Sequence, residues 1–167
     1  MPDATLPAAR PLIGQVIDGK YRLESVIGEG AMGSVWVATH VHLDQRVALK
    51  LILPDHASSE TAKTRFQAEA KAAASLRSRF VVQIFDSGIT PDGMPYLAME
   101  LLKGESLEDR VERLGPLGLA DTVTLMAQVA RGLSSAHRQR IVHRDLKPAN
   151  VFLSLSEDGE VVAKILD

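Results

Sequence analysis

The ten residues from Ile141 to Asn150 constrain this chain most. They read Ile-Val-His-Arg-Asp-Leu-Lys-Pro-Ala-Asn. Upstream, residues 120–138 carry Val123, Met126, Ala130, Leu133 and His137 at helical spacing, which predicts a helix with a core face and His137 as a structural residue on or near it. Downstream, Val151–Leu155 and Val161–Leu166 are β-rich runs around Glu157-Asp158-Gly159-Glu160, and Asp-Gly is a hairpin signal. The decapeptide therefore joins a helix to a hairpin. A basic polar connector with a turn at Lys147-Pro148 would need no more explanation. The residue types suggest more. Asp145 can accept a hydroxyl proton, and Lys147 offers a cation two residues on. Asn150 offers a carbonyl oxygen of the kind that hard cations such as Mg²⁺ prefer.

Composition sets the frame for that loop. A length of 167 residues with 46% hydrophobic residues suits one ordinary soluble domain. A formal net charge of −2 gives no support for a nucleic-acid or membrane-surface partner. The absence of Cys excludes disulfides and thiolate metal sites and fits a reducing compartment. No apolar run approaches the about 18 residues that a membrane helix needs. Residues 1–5 have neither a basic nor an apolar signal-peptide region.

Residues 1–17, with Pro2, Pro7, Pro11 and Gly14, read as a flexible leader. Lys20–Ile27 reads as a strand and runs into Gly28-Glu29-Gly30-Ala31-Met32-Gly33-Ser34-Val35, a G-x-G-x-x-G-x-V pattern. In a dinucleotide-binding unit this pattern would open a helix. Here Ser34–His40 follows, β-branched and aromatic, so the glycines belong at the tip of a β-hairpin. A plain hairpin turn would carry them as well. His40 and His42 fall on the next turn as solvated side chains. Arg46–Ile52 is a third strand, with Lys50 among apolar neighbours. Glu60–Leu76 is Ala-rich and helical, with Ser58 or Ser59 as N-cap. Val81–Gly88 and Pro95–Glu100 are two further strands around a turn at Pro91–Met94. Lys103–Ser106 is a linker, Ser106-Leu107-Glu108-Asp109 starts a short helix, and Gly115–Gly118 breaks it.

His143-Arg144-Asp145-Leu146-Lys147-Pro148-Ala149-Asn150, the glycine pattern and Val47-Ala48-Leu49-Lys50 occur in the order of the protein-kinase signatures. The chain resembles the protein kinase family over roughly residues 18–167. Its Leu-Lys-Pro resembles the Ser/Thr-specific branch. Tyr21–Gly33 and the Ala-rich helix resemble the bacterial kinases of eukaryotic-like type. The resemblance implies an α+β, protein-kinase-like fold: an N-lobe of five antiparallel strands plus the C helix over 18–102, and the first part of a helical C-lobe over 103–167. It implies ATP in the cleft between them, with Mg²⁺, and protein Ser/Thr hydroxyls as acceptors. Catalytic roles fall to Asp145, Lys147, Lys50 and a helix Glu that pairs with Lys50. Glu60 and Glu69 are the candidates, and mid-helix Glu69, near Phe66 and Ala73, is preferred over Glu60 in the first turn. ATP contacts fall to Gly28, Glu29, Gly30, Ala31, Met32, Gly33, Val35, Ala48 and Lys50, to Met99 as gatekeeper, and to Glu100 and Leu102 at the hinge. Glu105 is open between a ribose contact and a solvated linker carboxylate. Asn150 and Asp167 would hold the metal.

Arg77–Val82 departs from the family's His-Pro-x-Ile-Val, which affects the loop and not the chemistry. Asp167 matches the first letter of D-F-G, and the chain ends there. The expectation is a cytoplasmic kinase segment, with any membrane anchor beyond this chain, that binds ATP weakly and is catalytically impaired by itself. A non-catalytic nucleotide-binding or interaction module is the alternative. A small-molecule kinase is disfavoured by Leu146-Lys147-Pro148.

Overall fold

The computed structural model describes residues 11–30, 33–53, 59–156 and 158–166. The chain forms two compact units, Met1–Lys71 with Phe85–Leu101, and Ala72–Ile84 with Leu102–Asp167. The division differs from a single cut at 102/103, because residues 72–84 go with the second unit.

The first unit is built on β1 (Val16–Ile17), β2 (Tyr21–Gly30), β3 (Gly33–His40), β4 (Gln45–Ile52), β5 (Ile84–Ile89) and β6 (Pro95–Met99). They form one sheet in the order β1-β2-β3-β4-β6-β5. The pairs β1/β2, β2/β3, β3/β4 and β4/β6 are antiparallel. The five expected strands are present, and a two-residue edge strand is added. That edge strand shortens the expected leader. Val16 pairs with Arg22 and Ile17 with Tyr21, and Ile17 is buried while Leu12 and Ile13 stay exposed. One face of the sheet is apolar because alternate residues point the same way: Tyr21, Leu23, Trp36, Ala38, Leu49, Leu51, Tyr96 and Ala98 all belong to one buried cluster. Gly88 is required beneath Tyr96, since a Cβ there would lie 2.6 Å from the phenol oxygen.

A polar tie closes the edge of this core. The Tyr21 hydroxyl and Lys20 Nζ donate to Asp86 Oδ2 at 3.0 and 3.1 Å. The Tyr96 hydroxyl donates to Asp18 Oδ2 at 2.7 Å. Burial first, then the neighbouring carboxylates, push both phenols above the usual tyrosine range. Both hydroxyls therefore stay protonated, as donors to carboxylates must.

Helix α1 (Glu60–Ala74) starts where Ser59 Oγ accepts the Ala62 N–H at 3.1 Å. Ala70 is its one buried residue. The strand expected to begin at Val81 begins at Ile84. Phe80–Val82 pairs elsewhere: Ile165 N donates to Phe80 O and Val82 N to Ile165 O, both at 2.9 Å.

The second unit contains β7 (Gly104–Ser106), α2 (Leu107–Leu114), α3 (Leu119–Arg138), a 3₁₀ turn at Pro148–Asn150, β8 (Val151–Leu155) and β9 (Val161–Ile165). The last two strands are the expected hairpin, with Gly159 in the left-handed region (φ 81°). The stretch read as a linker is partly strand. Glu105 pairs with Leu153, giving a sheet in the order β7-β8-β9. Gly104 makes this approach possible, because a Cβ on it would sit 2.0 Å from Leu153 O. Ser106 caps α2 as expected, accepting the Asp109 N–H at 3.0 Å.

Helix α3 corrects the expected core face. Leu125, Val129, Gly132 and Ala136 are buried, while Val123 and Met126 are 60% and 45% exposed and Ala130 and His137 also face solvent. Of the expected set only Leu133 packs against the core. Two specific contacts choose the face. Gln128 Oε1 accepts the Ala163 N–H at 2.7 Å on the open edge of β9, and Gly132 lets the helix approach Phe80, whose carbonyl would lie 2.8 Å from an added Cβ.

Candidate functional site

In the first unit the strand register gathers the expected nucleotide residues on one sheet face. Gly28 pairs with Val35, Val35 with Lys50, and Ala48 with Met99. Ala48 and Lys50 are two apart on β4 and so point the same way. Val35, Ala48, Lys50 and Met99 thus share the face opposite Leu49 and Leu51. Ala48 and Met99 are buried on it, and Lys50 is half-buried. Alternation of side chains is what permits a Lys here without disturbing the apolar cluster on the other side.

The three glycines have separate reasons. Gly33 has φ 148°, and a Cβ there would lie 1.9 Å from Leu51 O, so the fold requires glycine. Gly28 would meet only Val35 Cβ at 3.9 Å, and Gly30 nothing within 4 Å. The chain itself does not need them bare. A close-lying anionic group would, because backbone N–H groups reach it best without a Cβ in the way. Exposed Glu29 sits between them. Ala31, Met32 and Asp167 lie outside the described residues.

Glu69 is exposed on α1. Among the described residues no ion pair joins it to Lys50. Glu60, the other candidate, is exposed and bonds Lys63 Nζ at 3.0 Å. Glu100 and Leu102, half-buried, lie between β6 and β7. Glu105 does not remain a free linker carboxylate. Arg113 holds both of its oxygens, at 2.5 and 3.1 Å, and this keeps its carboxyl below the usual range.

In the second unit the loop 141–150 folds on itself. Arg144 takes a left-handed φ of 66°, unusual for a side chain with a Cβ. This kink lets His143 Nδ1 accept the Asp145 N–H at 3.3 Å while Nε2 lies 2.7 Å from Leu166 O. A carbonyl only accepts, so Nε2–H is the donor to Leu166 O, and Nδ1 is the acceptor. His143 therefore pins the loop to the end of β9. Sequence reasoning missed this role, and it also missed the Phe80–Ile165 pairing that holds the same end.

Asp145 Oδ2 receives Lys147 Nζ at 2.9 Å and Asn150 Nδ2 at 3.2 Å. Asn150 Nδ2 also donates to Asp145 O at 2.8 Å, and Asn150 O accepts the Leu166 N–H at 2.9 Å. With both of its amide hydrogens directed at Asp145, Asn150 keeps Oδ1 free of partners among the described residues. The Lys147 hydrogen bond, reinforced by its charge and by Asn150, holds the Asp145 carboxyl below the usual range. Lys147 is raised by the same contact. Both side chains remain solvent-accessible. An ionised carboxylate, a cation and an unused amide oxygen thus lie on one exposed loop. This donor set suits a hard, oxygen-preferring ion beside a hydroxyl. Among the described residues no group of three His, Asp or Glu side chains could hold a metal by itself.

The model for the protein kinase domain matches residues 21–167. This chain belongs to the protein kinase family. Among its relatives are the serine/threonine-protein kinase pkn3 of Myxococcus xanthus, 37% identical over 161 residues and covering 96% of this chain. Another is PknL of Mycobacterium tuberculosis, 38% identical and covering 90%. The chain spans only 29% of the first and 37% of the second. The crystal structure of the PknI kinase domain of M. tuberculosis has a similar fold, with a TM-score of 0.81 and 27% identity over 94% of this chain and 62% of that one. The relatives bear out the expected kinship with bacterial serine/threonine kinases, and PknI bears out the α+β kinase-like fold. Protein kinases generally use ATP and Mg²⁺.

Proposed function

We propose that this chain carries the nucleotide-handling and hydroxyl-activating residues of a cytoplasmic serine/threonine protein kinase. The arrangement of Asp145, Lys147 and Asn150 carries the reading. In phosphoryl transfer the protein's work is positioning and charge neutralisation. The backbone around Gly28 and Gly30 cradles the ATP phosphates, and Lys50 neutralises the α- and β-phosphates. Val35, Ala48 and Met99 bound the adenine, with the backbone of Glu100 and Leu102 as hinge contacts. Glu69 acts as the partner that orients Lys50 when nucleotide is bound. Asp145 Oδ1, left free by the bonds to Oδ2, accepts the proton of a substrate Ser or Thr hydroxyl. The hydroxyl oxygen bonds to the γ-phosphorus as the bond to the β–γ bridging oxygen breaks, and ADP leaves. Lys147 swings from Asp145 to the transferred phosphoryl group. Asn150 Oδ1 and the Asp167 carboxylate would hold Mg²⁺, which would supply charge neutralisation at the phosphates.

The test uses the purified 167-residue chain. Nucleotide binding is read with a fluorescent ATP analogue, and transfer with γ-labelled ATP and casein. Weak binding that Lys50→Met diminishes is expected. Transfer is expected to be slow, and Asp145→Asn should lower it by about a hundredfold or more. Labelling that Asp145→Asn leaves untouched would sink the proposal. Binding with no transfer at all selects the non-catalytic nucleotide-binding module.

A further inference from the structure

Strand β9 is the edge of its sheet and pairs with β8 on one side. The backbone groups on its other side still need partners, because Ala163 and Ile165 are buried away from water. Backbone supplies one set. The Ile165 N–H donates to Phe80 O, and Ile165 O accepts the Val82 N–H. A side chain supplies the other. Half-buried Gln128, in the middle of α3, accepts the Ala163 N–H on Oε1 at 2.7 Å. The apolar contact of α3 comes from Leu125, Val129 and Leu133, so the amide of Gln128 answers a need of β9 and not of helix packing.

The same strand runs on to Leu166, which is bonded through both of its backbone groups. Its N–H donates to Asn150 O at 2.9 Å, and its O accepts from His143 Nε2 at 2.7 Å. Both routes lead to Asp145. Asn150 Nδ2 donates to Asp145 O and Oδ2, and His143 Nδ1 accepts the Asp145 N–H. Without the Gln128 oxygen, the Ala163 N–H would be buried with no acceptor, a costly state. Peptide units are rigid planes, so turning residue 163 toward another acceptor would carry the end of the strand with it. We propose that Gln128 is a positioning residue for the loop at 141–150. By fixing β9 at Ala163 it sets where Leu166 holds Asn150 and His143, and so how Asp145 is presented to a hydroxyl. The inference rests on the reading of Asp145 as the proton acceptor, and Gln128 acts on it only through the strand.

The test compares Gln128→Leu, which removes the acceptor, with Gln128→Glu, which keeps one at the same reach. The readouts are the side-chain amide of Asn150 and the ring nitrogens of His143 in ¹⁵N spectra of the 167-residue chain at one fixed pH. Gln128→Leu should move both sets of resonances and speed hydrogen exchange of the Leu166 N–H by about tenfold or more. Gln128→Glu should restore all three. Gln128→Asn, whose shorter side chain draws the oxygen away from Ala163, should shift the same resonances in the same direction, a comparison that stands if Gln128→Leu does not fold. A merely structural role would speed exchange in α3 and β9 alike and leave the His143 ring and the Asn150 amide as they are. That result, or Gln128→Glu behaving as Gln128→Leu does, would overturn the proposal. No nucleotide enters the experiment, so its outcome is independent of whether the chain transfers phosphate.

Discussion

Gly30 and Gly33 carry the same absent side chain for different reasons, and the difference is measurable. A Cβ at Gly33 would collide with Leu51 O in a backbone conformation that L-residues rarely adopt. Gly33→Ala is expected to destabilise the fold by about 2 kcal/mol or more, read as a fall in the denaturation midpoint. Gly30→Ala meets open space and is expected to leave that midpoint within about 0.5 kcal/mol while weakening nucleotide binding. Equal stability losses in the two variants would contradict the assignment. The glycine spacing was legible in the sequence. Which glycine the fold itself requires was not, because that depends on the cross-strand neighbour. Asp145 gives the second case. Its carboxyl is held low chiefly by Lys147. A depressed folded-state value means the interaction is present above the ordinary carboxylate range and is lost as pH falls through the lowered value. Lys147→Met should therefore move the Asp145 titration upward, followed by the ¹³C shift of its carboxyl carbon. An unmoved titration would assign the depression to Asn150 instead.

At the scale of elements, α3 shows where sequence patterning stops being informative. Its limits were legible, since residues 120–138 were expected and Leu119–Arg138 is helical. Its buried face was not. Val123 and Leu125 are two residues apart, about 200° around the helix, and an Ala-rich helix offers an apolar stripe on both sides. Packing on β9, admitted by Gly132 and fixed by Gln128, selects the stripe through Leu125. Leu125→Ala should therefore cost about 2–4 kcal/mol of stability. Val123→Ala should fall within about 0.5 kcal/mol, the reverse of what the expected face would give. Chemical denaturation of the two variants decides it. Strand β7 escaped notice for a related reason. Three residues, Gly-Glu-Ser, have little strand propensity, and their pairing partner lies almost fifty residues on in β8. The loop at 141–150 shows the opposite. That Asp145, Lys147 and Asn150 come together was legible because their spacing is local, whereas the anchoring of His143 on Leu166 depends on how β9 ends.

At the scale of the whole molecule, the chain leaves the first unit after Lys71 and returns to it at Phe85. Sheet β1–β6 is therefore completed only when Met94, Tyr96 and Ala98 join residues contributed far earlier in the chain. The second unit has its own cluster around Leu107, Leu125, Val129, Leu153 and Ile165. Apolar burial stabilises the residues that share it, and local opening follows the core that is weakened. A hole in one cluster should then be felt first by that cluster's strands. Leu49→Ala, at a fully buried site, removes contacts worth about 2–5 kcal/mol. It should speed amide exchange of β2–β4 and β6 by about thirtyfold or more, with a smaller change in β8 and β9. Leu153→Ala should show the converse pattern. Hydrogen exchange read strand by strand checks both variants. Equal acceleration everywhere would mean that the two cores open in one cooperative step. In that case, the residues proposed to handle nucleotide and to activate the hydroxyl would stand or fall together with every core substitution.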